Sequence, residues 1–219
     1  MFSGLLGVLA FLATVLGVLI GLGLLAAALL TRRPRRAGKI AGFLLGWLGL
    51  YVLALLLASF TSRPGFVDPG GERCFDEMCY ALTKLELSPS LDTPAGQLKA
   101  QGQYYIVTIQ LRSAAKRTAQ KPSQPSVFVV DARGQRYTRM LNAGPEMGLP
   151  AGQPLTAAQL WDRQIQPGET VSRTVAFDLP VGVSAPGLVI TEGLGPLAVI
   201  IIGDENSFFH APTEFLLNP

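Results

Sequence analysis

Thr31-Arg-Arg-Pro-Arg-Arg-Ala-Gly-Lys39 separates two apolar runs, about Phe2 to Leu30 and about Ile40 to Phe60, and neither run contains an Asp, Glu, Lys or Arg. A helix that crosses a bilayer needs roughly 20 apolar residues to cover about 30 Å of hydrocarbon, and both runs are long enough. Residues 1-60 therefore read as a two-helix transmembrane hairpin with a basic turn at 31-39. A cleavable signal peptide competes for the first run, but it calls for a basic residue before the apolar stretch and a cleavage site after it, whereas the charges here come afterwards.

Arg32, Arg33, Arg35, Arg36 and Lys39 are accompanied by no acid in the turn. Short basic loops stay cytoplasmic, so the expected location is the inner (plasma) membrane, multi-pass, with both termini and the C-terminal domain on the periplasmic or extracellular side. The expected partner of these cations is anionic lipid headgroups rather than nucleic acid. Subtracting these five cations from the 18 Lys plus Arg leaves 13 against all 15 acids in residues 61–219. The remainder is near neutral, and the high isoelectric point carries no argument for nucleic-acid binding.

Gly38, Gly42 and Gly46 recur every four residues on one face of the second helix, and Gly17 and Gly21 repeat the spacing in the first. Small residues let membrane helices approach closely. Two readings stay open, the hairpin packing on itself or a face kept for another protein's helix.

Pro and Gly in Thr61-Ser-Arg-Pro-Gly-Phe-Val-Asp-Pro-Gly-Gly71 break the helix, so residues 61-73 read as a tether and 74-219 as an extracytoplasmic domain. Period-two alternation predicts strands. Tyr105, Val107, Ile109 and Leu111 share one face of Gln103 to Leu111, and Val171, Val175, Phe177 and Leu179 share one face of Glu169 to Leu179. Further strands are expected at Tyr80 to Leu87, Ser126 to Asp131, Gln135 to Met140, Gly187 to Thr191, Leu197 to Ile202 and Glu214 to Leu217. Asp131-Ala-Arg-Gly134 and Gln166-Pro-Gly168 suit the turns between them. Thr156 to Ile165 is the one stretch expected to be a short helix, with Leu160 and Trp161 packed inward. The fold class that follows is a transmembrane α-helical hairpin plus an all-β, immunoglobulin-like antiparallel sandwich.

Gly102-Gln-Tyr-Tyr-Ile-Val-Thr-Ile-Gln-Leu111, Phe128-Val-Val-Asp-Ala-Arg-Gly-Gln-Arg-Tyr137, Gln166-Pro-Gly-Glu-Thr170 and Val175-Ala-Phe-Asp-Leu-Pro180 resemble the immunoglobulin-like, telokin-like extracytoplasmic domains of bacteria whose function is unknown. The resemblance covers roughly residues 78–217. It implies a fold and no catalytic residues, and the two-helix anchor departs from that family's more usual single anchor or lipidated start.

Cys74 and Cys79 are the two cysteines, and the expected topology places them where disulfides persist. A bond between them is expected, with free thiols or metal ligands as the alternative. Closing so small a loop stabilises the fold by about 2 kcal/mol on the chain-entropy model.

His210 is the single histidine. The sequence holds no phosphate-cradling Gly-x-x-x-x-Gly-Lys loop, no Gly-x-Ser-x-Gly elbow and no His-Glu-x-x-His helix. A non-enzymatic protein without cofactor or metal is expected. The most distinctive loop is Gly203-Asp-Glu-Asn-Ser-Phe-Phe-His-Ala-Pro212. Asp204, Glu205 and Asn206 offer oxygen ligands without the spacing of a calcium loop, so a side-chain-capped turn is the simpler reading. Phe208, Phe209 and Trp161 are candidate partner contacts, with core packing the alternative for the two phenylalanines.

The resulting functional expectation is an accessory or scaffold subunit that stabilises or assembles a larger integral membrane complex, for example a respiratory or photosynthetic one. Its expected partners are membrane lipids and other membrane subunits, with no nucleic acid. An envelope ligand-binding or sensor module is the alternative.

Overall fold

The computed structural model describes residues 2–63, 65–68, 70–184, 186–193, 195–204 and 206–217. The first apolar run forms helix α1, Phe2–Leu30, and the second forms α2, Pro34–Phe60. Three residues turn the chain between them. Thr31 Oγ1 donates to the Ala27 carbonyl at 2.8 Å and the Arg33 amide to that of Ala28 at 2.9 Å, which satisfies carbonyls left open at the end of α1. Arg32 takes the left-handed φ of 51° that reverses the chain, and Pro34 starts α2 where its missing N–H costs nothing.

The helices meet along a seam with heptad spacing. Gly7, Phe11, Thr14, Val18, Gly21, Leu25 and Ala28 of α1 are buried or half-buried at alternating steps of four and three, as are Ala37, Ala41, Leu44, Tyr51, Leu55 and Ala58 of α2 with one step skipped. A repeat of 3.5 residues is the signature of left-handed helix packing. Every second seam position of α1 is small: Gly7, Thr14, Gly21 and Ala28. At Gly21 a Cβ would stand 2.4 Å from Leu44 Cδ2, so glycine sets how closely the two helices approach.

The remaining strands form two sheets. Sheet one holds β1 (Gly65–Val67), β5 (Ser126–Val130), β6 (Arg136–Tyr137), β10 (Gly187–Thr191) and β11 (Thr213–Leu216) in the order β1-β11-β10-β5-β6. Sheet two holds β2 (Glu72–Phe75), β3 (Met78–Thr93), β4 (Gly96–Ser113), β7 (Met140–Asn142), β8 (Pro154–Leu155) and β9 (Thr170–Leu179) in the order β2-β3-β4-β9-β7-β8. All pairings are antiparallel except β1 with β11. The core between the sheets contains Val107, Ile109 and Leu111 from β4 and Val171, Val175, Phe177 and Leu179 from β9, the faces that the alternation predicts. The short helix α3 (Ala157–Leu160) opens on a Thr156–Gln159 capping box and turns Leu160 into that core. Asp131 Oδ1 accepts from the Arg133 and Gln135 amides at 2.9 Å each, closing the predicted turn with Gly134 at φ 79°.

Four expectations differ from the structure. The stretch read as a tether, 61-73, contributes β1 and begins β2, because Gly65 to Val67 pair in register with Thr213 to Phe215. Tyr80 to Leu87 is the middle of a longer strand that runs to Thr93, with irregularities at Leu82/Lys84 and Ser88/Ser90. Gln135 to Met140 splits between the two sheets as β6 and β7. Leu197 to Ile202 is no strand: it lies within a 3₁₀ helix, Gly195–Ile200, and the turn after it. The chain accordingly divides into one compact unit of Met1–Arg63 with Gly195–Pro212 and another of Pro64–Leu194 with Thr213–Pro219, rather than at a single point.

Candidate functional site

In the helical unit, Gly195–Pro212 docks on both helices. The segment begins Gly195-Pro-Leu-Ala-Val-Ile-Ile-Ile-Gly203, without a charge. Its 3₁₀ turns leave backbone groups unpaired, and the hairpin supplies partners. The Tyr51 hydroxyl donates to the Ile200 carbonyl at 2.7 Å. Gly7 admits the backbone, since a Cβ there would stand 1.9 Å from the Ile202 oxygen. Within the segment, the Ile201 amide donates to Ala198 at 3.2 Å and the Phe208 amide to Val199 at 3.0 Å, folding it back on itself.

The return limb follows the end of α2. Ser59 and Ser207 lie hydroxyl to hydroxyl at 3.4 Å, both buried. The Phe60 and Phe209 rings stack at 5.2 Å with 17° between their planes. Ser62 Oγ donates to the Ser59 carbonyl at 2.6 Å and accepts from the Ala211 amide at 2.8 Å. Asp204 Oδ1 accepts from the Asn206 amide at 2.8 Å, which is the side-chain-capped turn; Glu205 lies outside the described residues. The His210 amide donates to Ser207, and its ring Nδ1 lies 2.9 Å from the Ala211 carbonyl oxygen. Phe208 and Phe209 are 52% and 68% exposed, so they are not core plugs.

The predicted packing glycines part company. Gly17 and Gly21 face α2, where Trp47 and Leu44 are their neighbours. A Cβ at Gly38, Gly42 or Gly46 would meet nothing within 4 Å among the described residues, so that stripe points away from α1. The signal that marks the real seam, a small residue every seventh position of α1, lay in the sequence beside the four-residue spacing. Arg32, Arg33, Arg35, Arg36 and Lys39 are all exposed at the turn. A cavity of about 370 Å³ there has Arg33, Arg36 and Thr31 at its polar side and Leu24, Ala27 and Ile40 among its apolar walls.

In the sandwich, Cys74 and Cys79 are bonded. They are directly opposed across the β2–β3 hairpin with Cα atoms 3.9 Å apart, the close approach of a non-hydrogen-bonded antiparallel pair. Glu72 has an oxygen within 4.8 Å of both sulfurs, but metal ligation requires thiolates and these sulfurs are bonded to each other. Trp161 corrects an expectation. It is 1% exposed and lies edge-on to Tyr80 at 5.7 Å, so it packs the core and offers no partner surface.

Polar groups tie the loops of the sandwich to its strands. The buried Tyr80 hydroxyl donates to Glu192, whose other oxygen accepts from the Ser123 amide at 2.9 Å. Burial raises the pKa of both groups above their ordinary ranges, and for Tyr80 the adjacent carboxylate adds to the rise. Burial lowers Arg73 to about 10; its guanidinium donates to the Thr213 carbonyl at 2.8 Å. A cleft of about 510 Å³ opens along β1, β2 and β3, with Asp68, Glu72 and Lys84 among apolar Val67, Leu82 and Phe215. Arg112 grips Glu72 through two hydrogen bonds, at 3.0 and 2.5 Å, and holds its carboxyl below the usual range.

No protein-family model and no curated protein matches the chain. Among solved structures it is similar to a β-sandwich protein of Clostridium difficile 630, with TM-score 0.42 and 13% identity over 72% of this chain and 96% of that one. The secreted protein MPT63 of Mycobacterium tuberculosis gives TM-score 0.40 and 16% identity over 61% and 94%. The yjhA protein of Bacillus subtilis gives 0.40 and 9% over 70% and 97%. The chain is a β-sandwich with two long apolar N-terminal helices.

Proposed function

We propose that this is a non-enzymatic accessory or scaffold subunit that helps assemble or stabilise a larger integral membrane complex, such as a respiratory or photosynthetic one. In this reading α1 and α2 cross the inner membrane with the basic turn in the cytoplasm. The sandwich, of the immunoglobulin-like type, then stands on the opposite side. The observation that carries the reading is the stripe of Gly38, Gly42 and Gly46, which has no neighbour within 4 Å among the described residues although its spacing suits close packing by another helix. Phe43, 70% exposed, lies beside it. The absence of charge from the apolar runs Phe2 to Leu30 and Ile40 to Phe60 argues against a transport pathway.

Extraction from native membranes in mild detergent, pull-down on a C-terminal tag and mass spectrometry test the proposal. Stoichiometric subunits of one membrane complex support it; a protein that runs alone at its own mass refutes it. The second reading, an envelope ligand-binding module, draws on the cleft that holds Asp68, Glu72 and Lys84. A ligand displaced by Lys84→Ala, from protein that carries no partner subunits, would favour it.

A further inference from the structure

We infer that Gly195–Gly203 is a third membrane-inserted element, a re-entrant segment whose apolar side chains meet lipid acyl chains in the leaflet opposite the basic turn. The inference rests on α1 and α2 crossing the bilayer. Its depth follows from counting along α2. Lys39 and the arginines hold the start of that helix at one surface, and Ile40 to Ser59 is a charge-free run of about 20 residues, one hydrocarbon thickness. Tyr51 precedes Ser59 by eight residues, so at 1.5 Å per residue its Cα lies about 12 Å inside the far boundary. Its hydroxyl holds Ile200 at 2.7 Å. By the register that sets Gly21 against Leu44, Gly7 lies level with Ala58, so its contact holds Ile202 just inside the boundary, where Ser59 and Phe60 also hold Ser207 and Phe209. The segment therefore enters and leaves through one surface.

The chemistry of the segment suits that place. Irregular backbone is tolerated at membrane depth where protein satisfies its polar groups. Tyr51 satisfies the Ile200 carbonyl, and the Phe208 amide satisfies that of Val199. Leu197 projects from the segment 52% exposed, an apolar side chain about half of which meets the acyl chains that surround it in this placement. The first charged residue after the run is Asp204, and the exposed Phe208 and Phe209 follow at the level of Phe60. The polar turn then falls in the headgroup region.

The test is nitroxide accessibility of the full chain in vesicles of phosphatidylcholine and phosphatidylglycerol. Cys74 and Cys79 are bonded to each other and leave no free thiol for the label. Single cysteines are placed by Leu197→Cys, by Leu45→Cys on the exposed face of α2, and by Val181→Cys, 88% exposed in the sandwich. The expected result is that labels at 197 and 45 collide more with oxygen than with a water-soluble nickel chelate, while the label at 181 does the reverse. A label at 197 that behaves like 181 while 45 favours oxygen overturns the insertion and leaves the spanning helices standing. A label at 45 that favours nickel overturns the spanning reading and this inference with it. Val199→Cys, half-buried in the same segment, carries the oxygen-side prediction if the Leu197 variant does not fold.

Discussion

Tyr51→Phe removes one oxygen from the helical unit and leaves the ring that packs in the seam. The Ile200 carbonyl then loses the donor that now stands at 2.7 Å, in a part-buried site. A buried acceptor left without a partner costs about 1–3 kcal/mol, and partial exposure puts this one in the lower part of that range, about 1–2 kcal/mol. That is roughly a 5- to 30-fold change in the equilibrium for lifting the segment off the helices. The remaining holds are a long hydroxyl pair at 3.4 Å, the Ala211 amide on Ser62 Oγ at 2.8 Å, the packing of Ile202 on Gly7, and an aromatic stack of the kind that contributes about 0.5–1.5 kcal/mol beyond burial. Hydrogen exchange of the detergent-solubilised full chain reads the effect at the Ile201 and Phe208 amides, whose acceptors are Ala198 and Val199. Their exchange should rise by that factor while the amides shared by β4 and β9 keep their wild-type protection, since local opening is confined to its own cooperative unit. Unchanged exchange at both amides in a folded variant would refute the claim that Tyr51 holds the segment.

Gly7→Ala should release the same segment, because the added Cβ meets backbone at the Ile202 oxygen; Gly42→Ile should leave exchange unchanged yet abolish co-purification of partner subunits, read by pull-down and mass spectrometry. Cys74→Ser with Cys79→Ser should lower sandwich stability by about 2 kcal/mol, the cost of reopening a six-residue loop, measured by denaturant unfolding. Burial raises the Glu192 carboxyl above its ordinary 4.5, so its contribution to stability is complete below pH 4.5 and is lost as pH rises through the higher folded value. Wild type should therefore lose stability relative to Glu192→Gln as pH climbs from 4.5 toward neutrality, in thermal melts of the two proteins; a wild type whose stability relative to the variant stays flat or rises in that window counts against the assignment.

Local features were legible where local forces decide them. Strand β9 keeps its predicted core face because alternation is a property of the strand itself, and the 131–134 turn closes on its own Asp131. Trp161 was legible as an inward-packing residue, and its burial against Tyr80 removes it from any partner surface. The run from Leu197 to Ile202 misled because three consecutive isoleucines suit a strand as well as they suit lipid. What settles its conformation is Tyr51 and Gly7, which stand roughly 150 and 190 residues away along the chain.

From the sequence alone came the two helices on either side of the basic turn, a sandwich of alternating strands and the cysteine pair, because each depends on residues within one element or one hairpin. The tertiary structure alone decided which glycines face a helix and which face open space, and that Gly195–Pro212 joins the helices rather than a sheet. Those outcomes turn on which distant groups satisfy a carbonyl or admit a backbone, and local sequence carries no record of that choice.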